Sequence, residues 1–158
     1  MPNMTSKSVM INRDGRDVWD YAVANDGWRH PYVVEVQKRD IGAVRVGTMF
    51  EETTKTLVIR STTVREITEY EPPRLMSWTH PEPTPPIAVL NGSYILEPKG
   101  DATRFTITVL YDVIGAWKMA SLFVIWQLEQ RAFPRMLANL KRELEARGWQ
   151  GGSGGASQ

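Results

Sequence analysis

The sequence contains no cysteine and only two histidines. Without cysteine, the chain can form no disulfide, no thiol nucleophile and no thiolate metal site. His30 and His80 lie fifty residues apart, and neither has an acidic residue at metal-ligand spacing. We therefore expect no metal centre and no other cofactor.

Long apolar runs are also missing. No stretch approaches the roughly 18 apolar residues of a membrane span, and the N-terminal segment lacks the apolar core of a signal peptide. Nineteen basic residues balance eighteen acidic ones, and no basic run resembles a nucleic-acid footprint. The motifs G-x-S-x-G, G-x-G-x-x-G and the Walker sequence are absent. These absences predict a cytoplasmic protein with no membrane span and no nucleic-acid partner.

The size of the chain fits one globular domain. With 158 residues, of which 42% are hydrophobic, residues 1–148 can bury a sizeable core. Residues 149–158 form a Gly/Ser-rich segment that we interpret as a flexible tail outside the domain.

One long helical pattern, over residues 116–147, organises the C-terminal part. At 100° per residue its large apolar side chains predict one buried stripe, with Gln130 near its centre and a kink near Pro134. The residues of this stripe are Met119, Leu122, Phe123, Trp126, Phe133, Leu137, Leu140 and Leu144. Val124, Ile125 and Leu128 lie off the stripe, which suggests a surface for a protein partner or a homodimer.

Short alternating segments precede this helix. A first strand over Ser6–Asn12 is followed by one or two short helices, the first of them capped by Asp14, and then by six strands without an intervening helix. The six predicted strands are Tyr32–Arg39, Thr48–Lys55, Val58–Tyr70, Leu75–Thr79, Ile87–Glu97 and Arg104–Asp112. An antiparallel α+β fold follows, in which a curved seven-stranded sheet closes around the last helix.

Several segments resemble, in order and spacing, the polyketide cyclase/dehydrase branch of the START/Bet v 1-like (SRPBCC) superfamily. They are VWDYAVANDGW, VGTMFEETTK, ITEYEPPRLMSW, GSYILEP, ATRFTITVLYDV and FPRMLANLKRELE. The resemblance covers about residues 6 to 148 and implies a helix-grip fold with a ligand cavity between the sheet and the C-terminal helix. Members include cyclases as well as lipid and hormone binders, so the resemblance alone leaves the activity open.

Strand alternation selects the residues that face the predicted cavity. The predicted ligand-binding residues are Phe50, Glu52, Arg65, Trp78, His80, Tyr94, Ile107, Val109, Tyr111, Phe123, Trp126, Gln130 and Phe133. Glu52 and Arg65 fall on adjacent strands, and they form either a structural salt bridge or a pair that orients a ligand or transfers protons. His80 is either a partly exposed histidine at the rim or a group that contacts the ligand or acts as an acid or base.

Two functions remain open at this level. The first is binding of a hydrophobic small molecule such as a lipid, a polyketide or an aromatic metabolite. The alternative is a cyclase, dehydratase or aromatase that uses general acid/base chemistry in the same cavity. A protein-interaction role of the long helix is a further alternative.

Overall fold

The computed structural model describes residues 2–24, 27–30, 32–56, 59–83 and 85–146. It contains one antiparallel sheet with the strand order β1-β7-β6-β5-β4-β3-β2. The strands are β1 (Asn3–Ile11), β2 (Val33–Lys38), β3 (Met49–Thr56), β4 (Ile59–Glu71), β5 (Leu75–Thr79), β6 (Ile87–Lys99) and β7 (Ala102–Val113). The predicted seven-stranded α+β architecture is confirmed. Val58, Arg147 and the Gly/Ser tail lie outside the described residues.

Short helical elements connect β1 to β2. Helix α1 (Gly15–Ala24) begins after Asp14, whose Oδ1 accepts a hydrogen bond of 3.0 Å from the Asp17 amide. This bond confirms Asp14 as the N-cap, because it satisfies one of the free amides of the first turn. A 3₁₀ turn (Gly27–Arg29) then places Trp28 and Arg29 in the interior.

The sheet bends around its concave face. Register shifts occur between Val33 and Glu35, between Ile67 and Glu69, and between Val89 and Asn91. Each shift adds a residue to one strand, which increases the local twist and curvature. The concave face of the sheet is mostly apolar, and on β7 the buried residues alternate strictly with half-buried or exposed ones.

The C-terminal helical run spans residues 115–146 and changes its winding three times. A 3₁₀ segment (Gly115–Ala120) leads into α2 (Ser121–Gln127), then into a π turn (Leu128–Ala132), and finally into α3 (Phe133–Ala146). In the π turn the amide of Phe133 bonds to the carbonyl of Leu128, five residues back. Pro134 follows directly and has no amide hydrogen to offer to the preceding turn, which favours the wider winding at this place.

The predicted buried stripe is right in α3 and wrong in the part of the run before the π turn. Phe133, Leu137, Leu140 and Leu144 are buried, whereas Met119, Leu122, Phe123 and Trp126 are exposed. The π turn holds one residue more than an α-helical turn, so it rotates everything before it by about 100°. As a result, Val124 and Leu128 are fully buried and Ile125 packs against the core. The docking surface predicted through these three residues is therefore wrong.

Candidate functional site

A partly enclosed cavity lies between the concave face of the sheet and α3. Its volume, counted as the space that the centres of water molecules can occupy, is about 60 Å³, which is enough for roughly four or five waters. Most of its lining is apolar, and its polar groups gather around Glu52. The lining residues are Arg29, Tyr32, Val33, Glu52, Thr54, Thr63, Trp78, His80, Pro86, Ile87, Val89, Tyr94, Ile107, Val109, Phe133 and Met136.

Three buried charged side chains lie together at the site: Arg29 and Glu52 line the cavity, and Arg65 lies behind them. Glu52 Oε2 accepts a hydrogen bond of 2.9 Å from Arg29 Nη1, and it lies 2.8 Å from Arg65 Nε. The Arg65 contact is an ion pair without hydrogen-bond geometry, so among the described residues Nε and Nη1 of Arg65 have no hydrogen-bond partner. Glu52 pairs with Thr63 across the sheet, and Arg65 pairs with Phe50, so the ion pair is diagonal.

The charges of this cluster shift the pKa values of Glu52 and His80. Burial raises the pKa of Glu52, but the charges of Arg29 and Arg65 outweigh this effect and lower the pKa to about 2. Burial also lowers the pKa of His80 to about 4, although Glu52 opposes the shift. At neutral pH two positive arginines therefore surround one carboxylate beside a neutral imidazole. His80 Nδ1 is buried without a hydrogen-bond partner among the described residues.

Aromatic rings form another part of the site, next to the charged cluster. The rings of Trp78 and Tyr94 lie 4.7 Å apart between centroids, and Tyr94 in turn contacts Trp28 and Phe105. The indole ring of Trp78 packs against Gly92, where a Cβ atom would lie only 2.4 Å from two of the ring carbons. Glycine at this position therefore sets how closely the indole approaches the sheet.

The structure brings seven of the thirteen predicted residues together. The residues predicted from the sequence that line the cavity are Glu52, Trp78, His80, Tyr94, Ile107, Val109 and Phe133. Phe50 and Arg65 lie behind this lining. The guanidinium carbon of Arg65 is 4.8 Å from the Phe50 ring centroid and 5.6 Å from that of Trp78, so cation–π contacts hold Arg65 beside Glu52.

Four predicted residues lie elsewhere. Phe123 and Trp126 are exposed because the π turn rotates α2, and Gln130 is exposed within the π turn itself. The prediction that these three residues line the cavity is therefore wrong. Tyr111 is fully buried, but its hydroxyl donates to Glu129 Oε2 at 3.1 Å. Glu129 also accepts a hydrogen bond of 2.6 Å from Thr5. Burial and then the Glu129 carboxylate raise the pKa of Tyr111, and this group links the π turn to the sheet.

Sequence reasoning missed nine lining residues. The most informative of them is Arg29, because it comes from a three-residue 3₁₀ turn that has no periodicity to reveal its direction. Its position beside Trp28 was the one available signal, since a tryptophan in so short a segment is often buried. The other residues missed are Tyr32, Val33, Thr54, Thr63, Pro86, Ile87, Val89 and Met136.

A curved antiparallel sheet that wraps a C-terminal helix, with a cavity between them, defines a protein of the helix-grip class. Residues 4–145 match the model of the family described as polyketide cyclase / dehydrase and lipid transport. The chain belongs to this family, which confirms the resemblance noted in the sequence. A ligand-binding or cyclase role follows from this membership.

Solved structures support the same fold. The Zhui aromatase/cyclase from Streptomyces sp. R1128 superposes with a TM-score of 0.78 at 13% identity, covering 93% of this chain and 96% of that one. A protein from Thermus thermophilus superposes with a TM-score of 0.74 at 15% identity, covering 92% of this chain and 99% of that one. The di-domain ARO/CYC StfQ from the steffimycin biosynthetic pathway superposes with a TM-score of 0.73 at 14% identity, covering 92% of this chain and 51% of that one. Curated protein sequences give no significant match.

Proposed function

We propose that this protein binds a small hydrophobic molecule that carries an anionic or strongly electronegative oxygen, such as a carboxylate or an enolisable carbonyl. The observation that carries this proposal is the buried cluster of Arg29, Glu52 and Arg65 at the end of an apolar cavity. Within this cluster, Nε and Nη1 of Arg65 are buried without a hydrogen-bond partner among the described residues. Because a buried donor without a partner is unfavourable, an oxygen ligand that reaches this guanidinium would stabilise the arrangement.

The size of the cavity restricts the ligand. Space for a few waters admits a compact molecule or the polar end of a longer one. The apolar walls, which include Ile107, Val109 and Phe133, would hold the hydrophobic part by removing it from water. The polar cluster would then fix the orientation of the bound molecule.

Displacement of an apolar fluorescent probe tests this proposal. Decanoate and decanol have the same chain length and differ only at the oxygen end. We expect decanoate to displace the probe at about tenfold lower concentration, because a charge-assisted hydrogen bond adds about 1.5–3 kcal/mol to the binding free energy. Arg65→Gln should reduce this preference, while Arg104→Gln, on an exposed arginine of β7, should leave it intact. Equal competition by both compounds, or no displacement by either, would overturn the proposal.

Catalysis of cyclisation or dehydration is the second candidate, and His80 is the observation in its favour. Its unpaired Nδ1 lies beside a cationic cluster that would stabilise an enolate oxygen while a proton leaves the neighbouring carbon. A pKa of about 4 makes His80 a weak base at neutral pH, so binding without reaction is the better-supported function.

Deuterium exchange separates the two functions. A catalyst should exchange the α protons of a bound β-diketone with deuterated solvent faster than buffer does, and NMR measures this rate. His80→Gln should abolish the acceleration, whereas His30→Gln, on the exposed histidine, should retain it. Exchange at the buffer rate, together with normal binding of the diketone, would leave binding as the function.

A further inference from the structure

The outward surface of the C-terminal helical run is chemically divided. Its first half exposes four large apolar side chains: Met119 is 97% exposed, Leu122 83%, Phe123 53% and Trp126 48%. Phe123 and Trp126 stack on each other with centroids 6.0 Å apart. We call these four residues the apolar patch. A run of exposed Met, Leu, Phe and Trp on one helix is unusual for a surface that meets only water.

Every exposed charged side chain of this run is basic. The exposed charged residues in 115–146 are Lys118, Arg131, Arg135 and Arg142. The guanidinium carbon of Arg131 is 5.9 Å from the Trp126 ring centroid, so the positive surface begins at the edge of the apolar patch.

The acidic residues of the run are used internally. Glu129 accepts hydrogen bonds from Thr5 and Tyr111, Glu143 accepts one from Tyr21, and Glu145 accepts from the Asn12 amide and Lys141. All three glutamates are half-buried. The outward surface therefore combines apolar aromatic side chains with an excess of positive charge.

We propose that this surface docks the protein onto a membrane that contains anionic lipids. Apolar side chains beside basic ones are what an interfacial helix needs, because the former enter the boundary of the acyl chains while the latter meet lipid phosphates. Docking would be peripheral, since no helix among the described residues is long and apolar enough to cross a bilayer. A second copy of this chain fits less well, because the described part of the run offers no exposed acid to pair with Arg131.

Vesicle co-sedimentation of the full chain tests this proposal. The protein should pellet with phosphatidylcholine vesicles that contain phosphatidylglycerol, and less with phosphatidylcholine alone. Added salt should reduce the bound fraction, because it screens the basic residues. The variant Leu122→Ser/Phe123→Ser should weaken partitioning about tenfold or more, since two large apolar side chains are lost. Ile41→Ser, at a residue that is 96% exposed outside the helical run, is the matched control and should bind normally.

The charged part of the surface has its own test. Arg131→Gln and Arg135→Gln should each weaken binding to the anionic vesicles about fivefold. Arg104→Gln removes an exposed charge from β7 and should have no effect. All the substituted side chains are exposed to solvent, and circular dichroism checks that the variants fold.

Three results would overturn the proposal. The wild-type protein could fail to pellet with anionic vesicles at low salt, or the patch variant could bind as well as the Ile41→Ser control. Light scattering could also show a dimer that dissociates in Leu122→Ser/Phe123→Ser without vesicle binding, which would make the patch an interface between copies. None of these results bears on ligand binding in the cavity.

Discussion

The two histidines provide a sharp test of the buried site. His80 lies among Glu52, Arg29 and Arg65, whereas His30 is exposed. Burial lowers the pKa of His80 from 6.5 to about 4, so the unfolded chain binds a proton on this residue more readily than the folded one. The contribution of His80 to stability is therefore complete above pH 6.5 and is lost as the pH falls towards 4.

The size of this effect follows from the same values. A pKa lowered from 6.5 to about 4 corresponds to about 3 kcal/mol in the free energy of unfolding, of which about 2 kcal/mol disappears between pH 7 and pH 5. Urea unfolding at several pH values in this range measures the loss. His80→Gln removes the titrating group, so its free energy of unfolding should vary less with pH than that of the wild-type protein by this amount.

The control is His30→Gln, which should keep the full pH dependence of the wild-type protein. The reasoning is refuted if wild-type protein and His80→Gln lose stability in parallel between pH 7 and pH 5. That outcome would mean that solvent reaches the imidazole and that the interior at His80 is not the low-dielectric environment which the packing indicates.

Three further predictions concern the same structure. Glu52→Gln should lower the free energy of unfolding by about 3–5 kcal/mol, because two buried arginines lose their counter-charge, and urea unfolding at neutral pH measures this. The wild-type protein should lose this stability as the pH falls from 4.5 to about 2, because Glu52 then takes up a proton. Glu52→Gln has no carboxylate at this position and should not show that loss. Gly92→Ala should lower the free energy of unfolding by about 1–3 kcal/mol and weaken binding of the fluorescent probe, since the added methyl displaces the Trp78 ring. Unchanged probe binding would contradict the place of the Trp78 ring in the cavity wall. Phe133→Ala should lower the free energy of unfolding by about 3–5 kcal/mol, because Phe133 is buried. Trp126→Ala should cost clearly less and should leave probe binding in the cavity unchanged, because Trp126 is half exposed.

Strand periodicity explains why much of the site could be predicted. A side-chain period of two fixes which residues of a strand face inward once one apolar face is recognised. This placed Glu52, Trp78 and Tyr94 in the interior correctly, and it brought Arg65 next to Glu52. The extra residue between Val89 and Asn91 breaks this period, and part of the lining on β6 was missed there.

The helix illustrates the limit of periodicity. The residues of α3 follow a regular 3.6-residue pattern, so the buried side of Leu137 and Leu140 was predicted correctly. Extrapolation through the π turn failed, because α2 has apolar residues on two faces and hydrophobicity alone does not choose between them. Pro134 was the available sign of irregular winding, but a proline does not reveal whether a turn gains a residue.

This wider turn also determines which changes of sequence the protein can tolerate. The amide of Phe133 meets the carbonyl of Leu128 five residues back, so the turn absorbs one residue that a regular helix would not hold. Deleting one residue, such as Ala132, would give the four-residue spacing of an α-helix and leave Val124 and Leu128 facing the sheet. A deletion inside α2 or α3 would instead turn the part of the run before it by about 100° and expose its buried residues. We therefore expect the helical run to tolerate the loss of one residue at the π turn better than at any other place.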